Sequence, residues 1–83
     1  MAKIEKILDD FRRNPGGQRY GDFETVIKHY GGTIRMASSH GTVKFPGPDG
    51  PRFVFAKRRE MHPKAIKDLL MALMEMEVIN DQA

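Results

Sequence analysis

Residues 33–45, TIRMASSHGTVKF, constrain the fold more than any other stretch of this chain. Two short runs, Thr33–Met36 and Thr42–Phe45, flank a compact polar turn, Ser38-Ser39-His40-Gly41. Ile34 and Met36 alternate with Thr33 and Arg35 in the first run, and Val43 and Phe45 with Thr42 and Lys44 in the second. Period-two alternation marks strands with one buried and one wetted face. The stretch therefore reads as a hairpin that lifts His40 to the corner between two strands. Loops on a rigid scaffold often carry reactive groups, and turns are also a common place for an inert histidine.

A third alternating run, Arg52–Lys57, turns Phe53 and Phe55 to one side. It follows Pro46-Gly47-Pro48-Asp49-Gly50-Pro51, whose Pro-Asp-Gly step favours a turn because Pro fixes φ and Gly accepts φ > 0. Three helical patterns surround these runs. In Ala2–Arg13, the residues Ile4, Ile7, Leu8 and Phe11 form one apolar stripe, stopped by Asn14-Pro15-Gly16-Gly17. A polar link, Gln18–Gly21, leads to Asp22, the expected N-cap of a helix over Phe23–Tyr30 with Phe23, Val26, Ile27 and Tyr30 on one side. Gly31-Gly32 supplies its left-handed stop. A basic loop, Lys57–His62, precedes Pro63, which suits the first position of a helix running to about Met76. Its expected core stripe is Ile66, Leu69, Leu70, Leu73 and Met74, with Met71 off the stripe as a contact candidate. Asn80–Ala83 is expected to fray. The order α-α-β-β-β-α predicts an α+β fold, a three-stranded antiparallel sheet with helices on one face.

Eighty-three residues make one domain. Such a chain buries only about 60% of its unfolded surface, so its core must be economical. The absence of cysteine excludes a disulfide scaffold and a thiolate zinc site, and fits a reducing cytoplasm. No apolar run is long enough to span a membrane, and the N-terminal MAKIEKILDD lacks the apolar core of a signal peptide. The net charge is +3, unevenly spread. Between residues 41 and 67, Lys44, Arg52, Lys57, Arg58, Arg59, Lys64 and Lys67 face only Asp49 and Glu60, a local net of +5. A clustered positive patch suits a polyanion such as nucleic acid; an ordinary solvated face has the same composition.

The three histidines differ in context. His29 falls within a helix beside Tyr30, as a surface or boundary residue. His62 precedes Pro63, where a structural or nucleic-acid-contact role is expected. His40 sits among Ser38, Ser39 and Gly41, small neighbours that allow a substrate backbone to approach and hydroxyls that bond phosphate or orient an imidazole. Ser39 and His40 project to opposite sides of an extended chain, so Ser39 is expected to be a poor partner for His40. No histidines have metal-ligand spacing and no carboxylate lies near His40, so no metal and no cofactor is expected. Gly31-Gly32 is not a phosphate loop, because no Lys-Ser/Thr follows to open a helix.

A helix ending in Tyr30-Gly31-Gly32, a strand, Ser38-Ser39-His40-Gly41, two further strands around a Pro/Gly/Asp hairpin, a basic loop and Pro63-Lys64-Ala65-Ile66-Lys67-Asp68-Leu69-Leu70 together resemble the HicA toxins. These are the RNA-cleaving members of type II toxin–antitoxin pairs. The resemblance covers about Asp22 to Met74, and the segment at about 2–21 is similar to an N-terminal helical extension of some longer members. The family signature is Gly-Ser-His after the first strand. Ser39 and His40 match it, and Ser38 replaces the glycine.

The resemblance implies a double-stranded-RNA-binding-domain-like fold and a metal-independent mRNA interferase. His40 is then the general acid or base, and Ser38, Ser39, Lys44, Arg52, Lys57, Arg58, Arg59 and Lys64 contact RNA. It further implies a HicB-like antitoxin as partner, covering the His40 turn and Lys57–Arg59, with a monomeric toxin in the cytoplasm. Two other classes fit the same residues. A non-catalytic double-stranded-RNA-binding module predicts affinity without cleavage. A protein-interaction domain docking an acidic partner predicts no nucleic-acid binding at moderate salt.

Overall fold

The computed structural model describes residues 3–47 and 50–79. Its elements are α1 (Lys3–Arg13), α2 (Tyr20–His29), β1 (Thr33–Ala37), β2 (His40–Lys44), β3 (Arg52–Ala56) and α3 (Pro63–Glu75). The strands form one antiparallel sheet in the order β1-β2-β3. The α+β class and the element order match the sequence reading. Ala2, Pro48-Asp49 of the expected Pro-Asp-Gly turn, and Asn80–Ala83 lie outside the described residues.

The pleat sorts side chains as the alternation predicts. Register aligns Ile34, Val43 and Phe53 in one row and Met36, Gly41 and Phe55 in the next. These rows face the helices: the Phe23 ring of α2 stands edge-on to Phe55 at 4.9 Å and to Phe53 at 6.3 Å. α2 packs on β1 and α3 on β3, while α1 packs against α2 and α3. Phe11, Phe23, Val26, Ile27, Val43, Phe45, Met61, Ile66, Leu69 and Leu73 are fully enclosed between them. Gly41 is on this inner face because Phe55 needs its space. A Cβ there would lie 2.6 Å from the Phe55 ring and 2.8 Å from the Met36 sulfur.

Several boundaries differ from the sequence reading, for local reasons. The turn between β1 and β2 is two residues, Ser38-Ser39, and His40 opens β2 opposite Ala37. Ser38 takes φ 59° at the first centre of the turn, the positive φ that tight two-residue hairpin turns require. Gly41 therefore serves the core rather than a substrate. α2 begins at Tyr20 with no side-chain cap from Arg19, not at Phe23 with Asp22 as cap. Tertiary pinning replaces the cap: Arg19 pairs with Glu60, and the Tyr20 N–H donates to the Arg59 carbonyl at 3.3 Å. Asp22 lies in the first turn, where its charge suits the helix dipole.

The stop of α2 is as expected. Gly31 has φ 81°, its N–H donates to Lys28 O at 3.1 Å, and the Gly32 N–H reaches Ile27 O at 2.9 Å, a Schellman closure. On α3, Leu70 and Met74 are half-buried rather than core, and Ala65 and Ala72 are buried in their place. Met71 is exposed, as its position off the stripe predicts.

Two stability outcomes follow from the hairpin. Ser38→Gly removes left-handed strain of about 1–2 kcal/mol and adds unfolded-state entropy costing about 0.5–1 kcal/mol, so urea melts should show a gain of about 0.5–1 kcal/mol. Gly41→Val forces Phe55 off its seat and should lose about 1–3 kcal/mol in the same melts.

Candidate nucleic-acid interface

The face of the sheet turned away from the helices is open. Its rows are Ala37–His40–Ala56, Arg35–Thr42–Val54 and Thr33–Lys44–Arg52. Thr42 and Ala56 are half-buried and the other seven residues are exposed, Val54 at 62%. Rows are separated by about 6.6 Å along the strands and strands by about 4.8 Å, so His40 stands about 13 Å from Lys44 on the same face. Thr33, Arg35, Thr42, Lys44 and Arg52 line a shallow depression of about 430 Å³.

His40 stands at one end of this face. The Ser39 hydroxyl lies 3.4 Å from its Nδ1. This corrects the expectation that Ser39 points away, because Ser39 is in a tight turn rather than an extended strand. His40 is exposed, and Nδ1 is the ring nitrogen that meets Ser39. The Lys57 N–H donates to Ser39 O at 2.9 Å, tying the start of the basic loop to the back of the turn.

The nine residues singled out from the sequence fall into separate groups. His40, Lys44 and Arg52 share the open face, with Ser38 and Ser39 at its rim. Lys57 turns the other way, its Nζ 4.6 Å from the centre of the Tyr20 ring, a cation–π contact. Burial, and after it the Glu24 carboxylate, push the Tyr20 phenol above its ordinary value.

Arg58 and Lys64 line a second groove, about 240 Å³, between the free edge of β3 and the start of α3, with His62 and Asp68. Lys64 is held there by Asp68 at 2.9 Å. Arg59 is exposed, and its carbonyl anchors α2. Arg35 belongs with Lys44 and Arg52 and was absent from the expected contacts. Its signal was the strand parity it shares with Thr33, opposite Ile34 and Met36.

His62 has a structural task. Its Nδ1 accepts the Lys64 N–H at 3.1 Å and caps α3, with Pro63 at the first helical position. Met61 beside it is buried, and its N–H donates to Gln18 O at 2.7 Å. The Lys57–His62 loop is thereby fastened to the α1–α2 link.

Among the described residues, no three His, Cys, Asp or Glu side chains gather closely enough to hold a metal ion. No described helix is long and apolar enough to cross a membrane. Comparison of the chain with protein-family models, with curated proteins and with solved structures returns no match in any of the three.

The cap gives a direct test of His62. His62→Ala should lose about 0.5–1 kcal/mol in thermal melts, and His62→Asn, which can accept the same N–H, should lose less.

Proposed function

We propose that this chain is a metal-independent RNA endonuclease, the toxin of a toxin–antitoxin pair, with His40 as its acid–base group. The observation that carries the reading is the exposed imidazole of His40 at the end of a sheet face bearing Arg35, Lys44 and Arg52. RNA brings its own nucleophile, the 2′-hydroxyl beside the scissile phosphate. The protein then needs only to move protons and stabilise negative charge. Neutral His40 takes the 2′-hydroxyl proton as that oxygen attacks phosphorus. The 5′-oxygen departs with a proton from water, leaving a 2′,3′-cyclic phosphate and a 5′-hydroxyl. The cationic side chains of the face attract the strand and hold its flanking phosphates.

The chain's resemblance to HicA in Ser39-His40 and in element order supports the same reading. So does the left-handed backbone of Ser38, at the position where that family has glycine. On this reading the cytoplasmic partner is an antitoxin with acidic groups, and one partner can mask both the His40 turn and the start of the Lys57–Arg59 loop, which the Lys57–Ser39 bond holds together.

The test is cleavage of a labelled RNA by purified protein in EDTA. His40→Ala should lower the rate by about 10²- to 10⁴-fold. Its stability should change by no more than about 1 kcal/mol, because an exposed imidazole holds no core. His29→Ala should keep the rate, and DNA of the same sequence should remain intact. Binding of RNA by wild type without cleavage supports the non-catalytic module instead. Full activity of His40→Ala contradicts the mechanism.

A further inference from the structure

We infer that the depression on the open sheet face is a phosphate subsite, which holds the backbone of a single RNA strand next along from the bond that His40 addresses. Its distance from the scissile bond rests on the catalytic reading above. The binding itself does not.

The first support is a local rule that the sheet breaks. Lys44 and Arg52 are direct cross-strand partners on the same face. Like charges directly opposite each other destabilise a strand pair. Arg35 adds a third positive charge one row away. Among the described residues, the ion pairs are Arg13–Asp9, Lys28–Glu24 and Lys64–Asp68, and none involves these three cations. An anion seated between them relieves the repulsion. A sheet carrying only a solvated surface has no need of such an arrangement.

The second support is the chemistry of the lining. Lys44, Arg35 and Arg52 can only donate hydrogen bonds, and the Thr42 hydroxyl can donate as well, while the Thr33 hydroxyl donates to the Lys44 carbonyl at 3.4 Å. Among the described residues, no carboxylate lines the depression. The ligand that fits presents acceptors and negative charge, which is what phosphate oxygens offer.

The third support is what the face omits. It carries Thr, Arg, Lys, His, Ala and Val and no Phe, Tyr or Trp. Sheets that read single-stranded RNA bases stack them on aromatic rings. This face therefore grips the backbone and reads little sequence. The depression lies on the same strands as His40, so a strand running along β2 meets both.

The experiment measures binding of uncleavable 2′-O-methyl oligoribonucleotides, from dinucleotide to decamer, by fluorescence anisotropy. Wild type, His40→Ala, Arg35→Thr, Arg52→Thr, Arg52→Lys and the Arg35→Thr/Arg52→Thr double variant are compared at several salt concentrations. Affinity of wild type and His40→Ala should rise with length. The double variant should bind the decamer about tenfold or more weakly, with the slope of log K against log salt shallower by about 0.7 per lost phosphate contact. Arg52→Lys should retain decamer affinity.

Arg52→Thr should melt at the wild-type temperature or about 1–5 °C higher, because a like-charge pair is gone. A lower melting temperature for Arg52→Thr, or undiminished decamer binding by the double variant, overturns the subsite. A duplex of the same length bound as tightly as the single strand overturns the single-strand assignment. Charge-dependent binding by a wild type that cuts no RNA leaves the subsite standing and removes the catalytic reading. Cleavage with normal binding by the double variant does the reverse.

Discussion

Phe55 lies over Gly41 on the inner face of the sheet, and its ring meets Phe23 edge-on at 4.9 Å. A side chain at position 41 would collide with that ring, so glycine there and phenylalanine opposite specify each other. The pairing fixes the register of β2 against β3. Because side chains alternate with period two, a slip of β3 by one residue would turn Phe53 and Phe55 to water and Arg52 and Val54 inward. The identity of the open face therefore depends on one packing contact made on the opposite side of the sheet.

The open face contradicts several local preferences at once. Ser38 occupies left-handed backbone where glycine is at ease. Lys44 faces Arg52 across a strand pair. Val54 is 62% exposed at a free sheet edge. Elsewhere in the chain, His62 caps α3 and Gly31 and Gly32 close α2 by ordinary rules, while α2 starts without a side-chain cap and Glu77 takes φ 59° after α3.

Much of this was legible in the sequence because strand parity is a strong signal. Thr33, Arg35, Thr42 and Lys44 read as a wetted face, and Val43, Phe53 and Phe55 as an inner one, from alternation alone. The start of α2 was not legible. It depends on Arg19 pairing with Glu60, a contact between segments 41 residues apart that no local pattern encodes. Met61 was hidden for the same reason, in a stretch that reads as basic loop. Charge clustering along the chain grouped Lys57, Arg58, Arg59 and Lys64 with Lys44 and Arg52. Folding separates them, because β3 carries its two faces and its edge in different directions. Arg35 joins the open face from a strand earlier in the chain. One-dimensional charge density is a poor guide to a two-dimensional patch.

The central claim is that nucleic acid meets this protein on the open face rather than in the β3–α3 groove. NMR titration of isotopically labelled protein with an uncleavable single-stranded RNA tests it most directly. The account predicts that the His40 ring and the side chains of Arg35, Thr42, Lys44 and Arg52 shift together and saturate together, with Met71 and α1 unmoved. Shifts confined to Arg58, His62 and Lys64 around the second groove, with the open face silent, would contradict it.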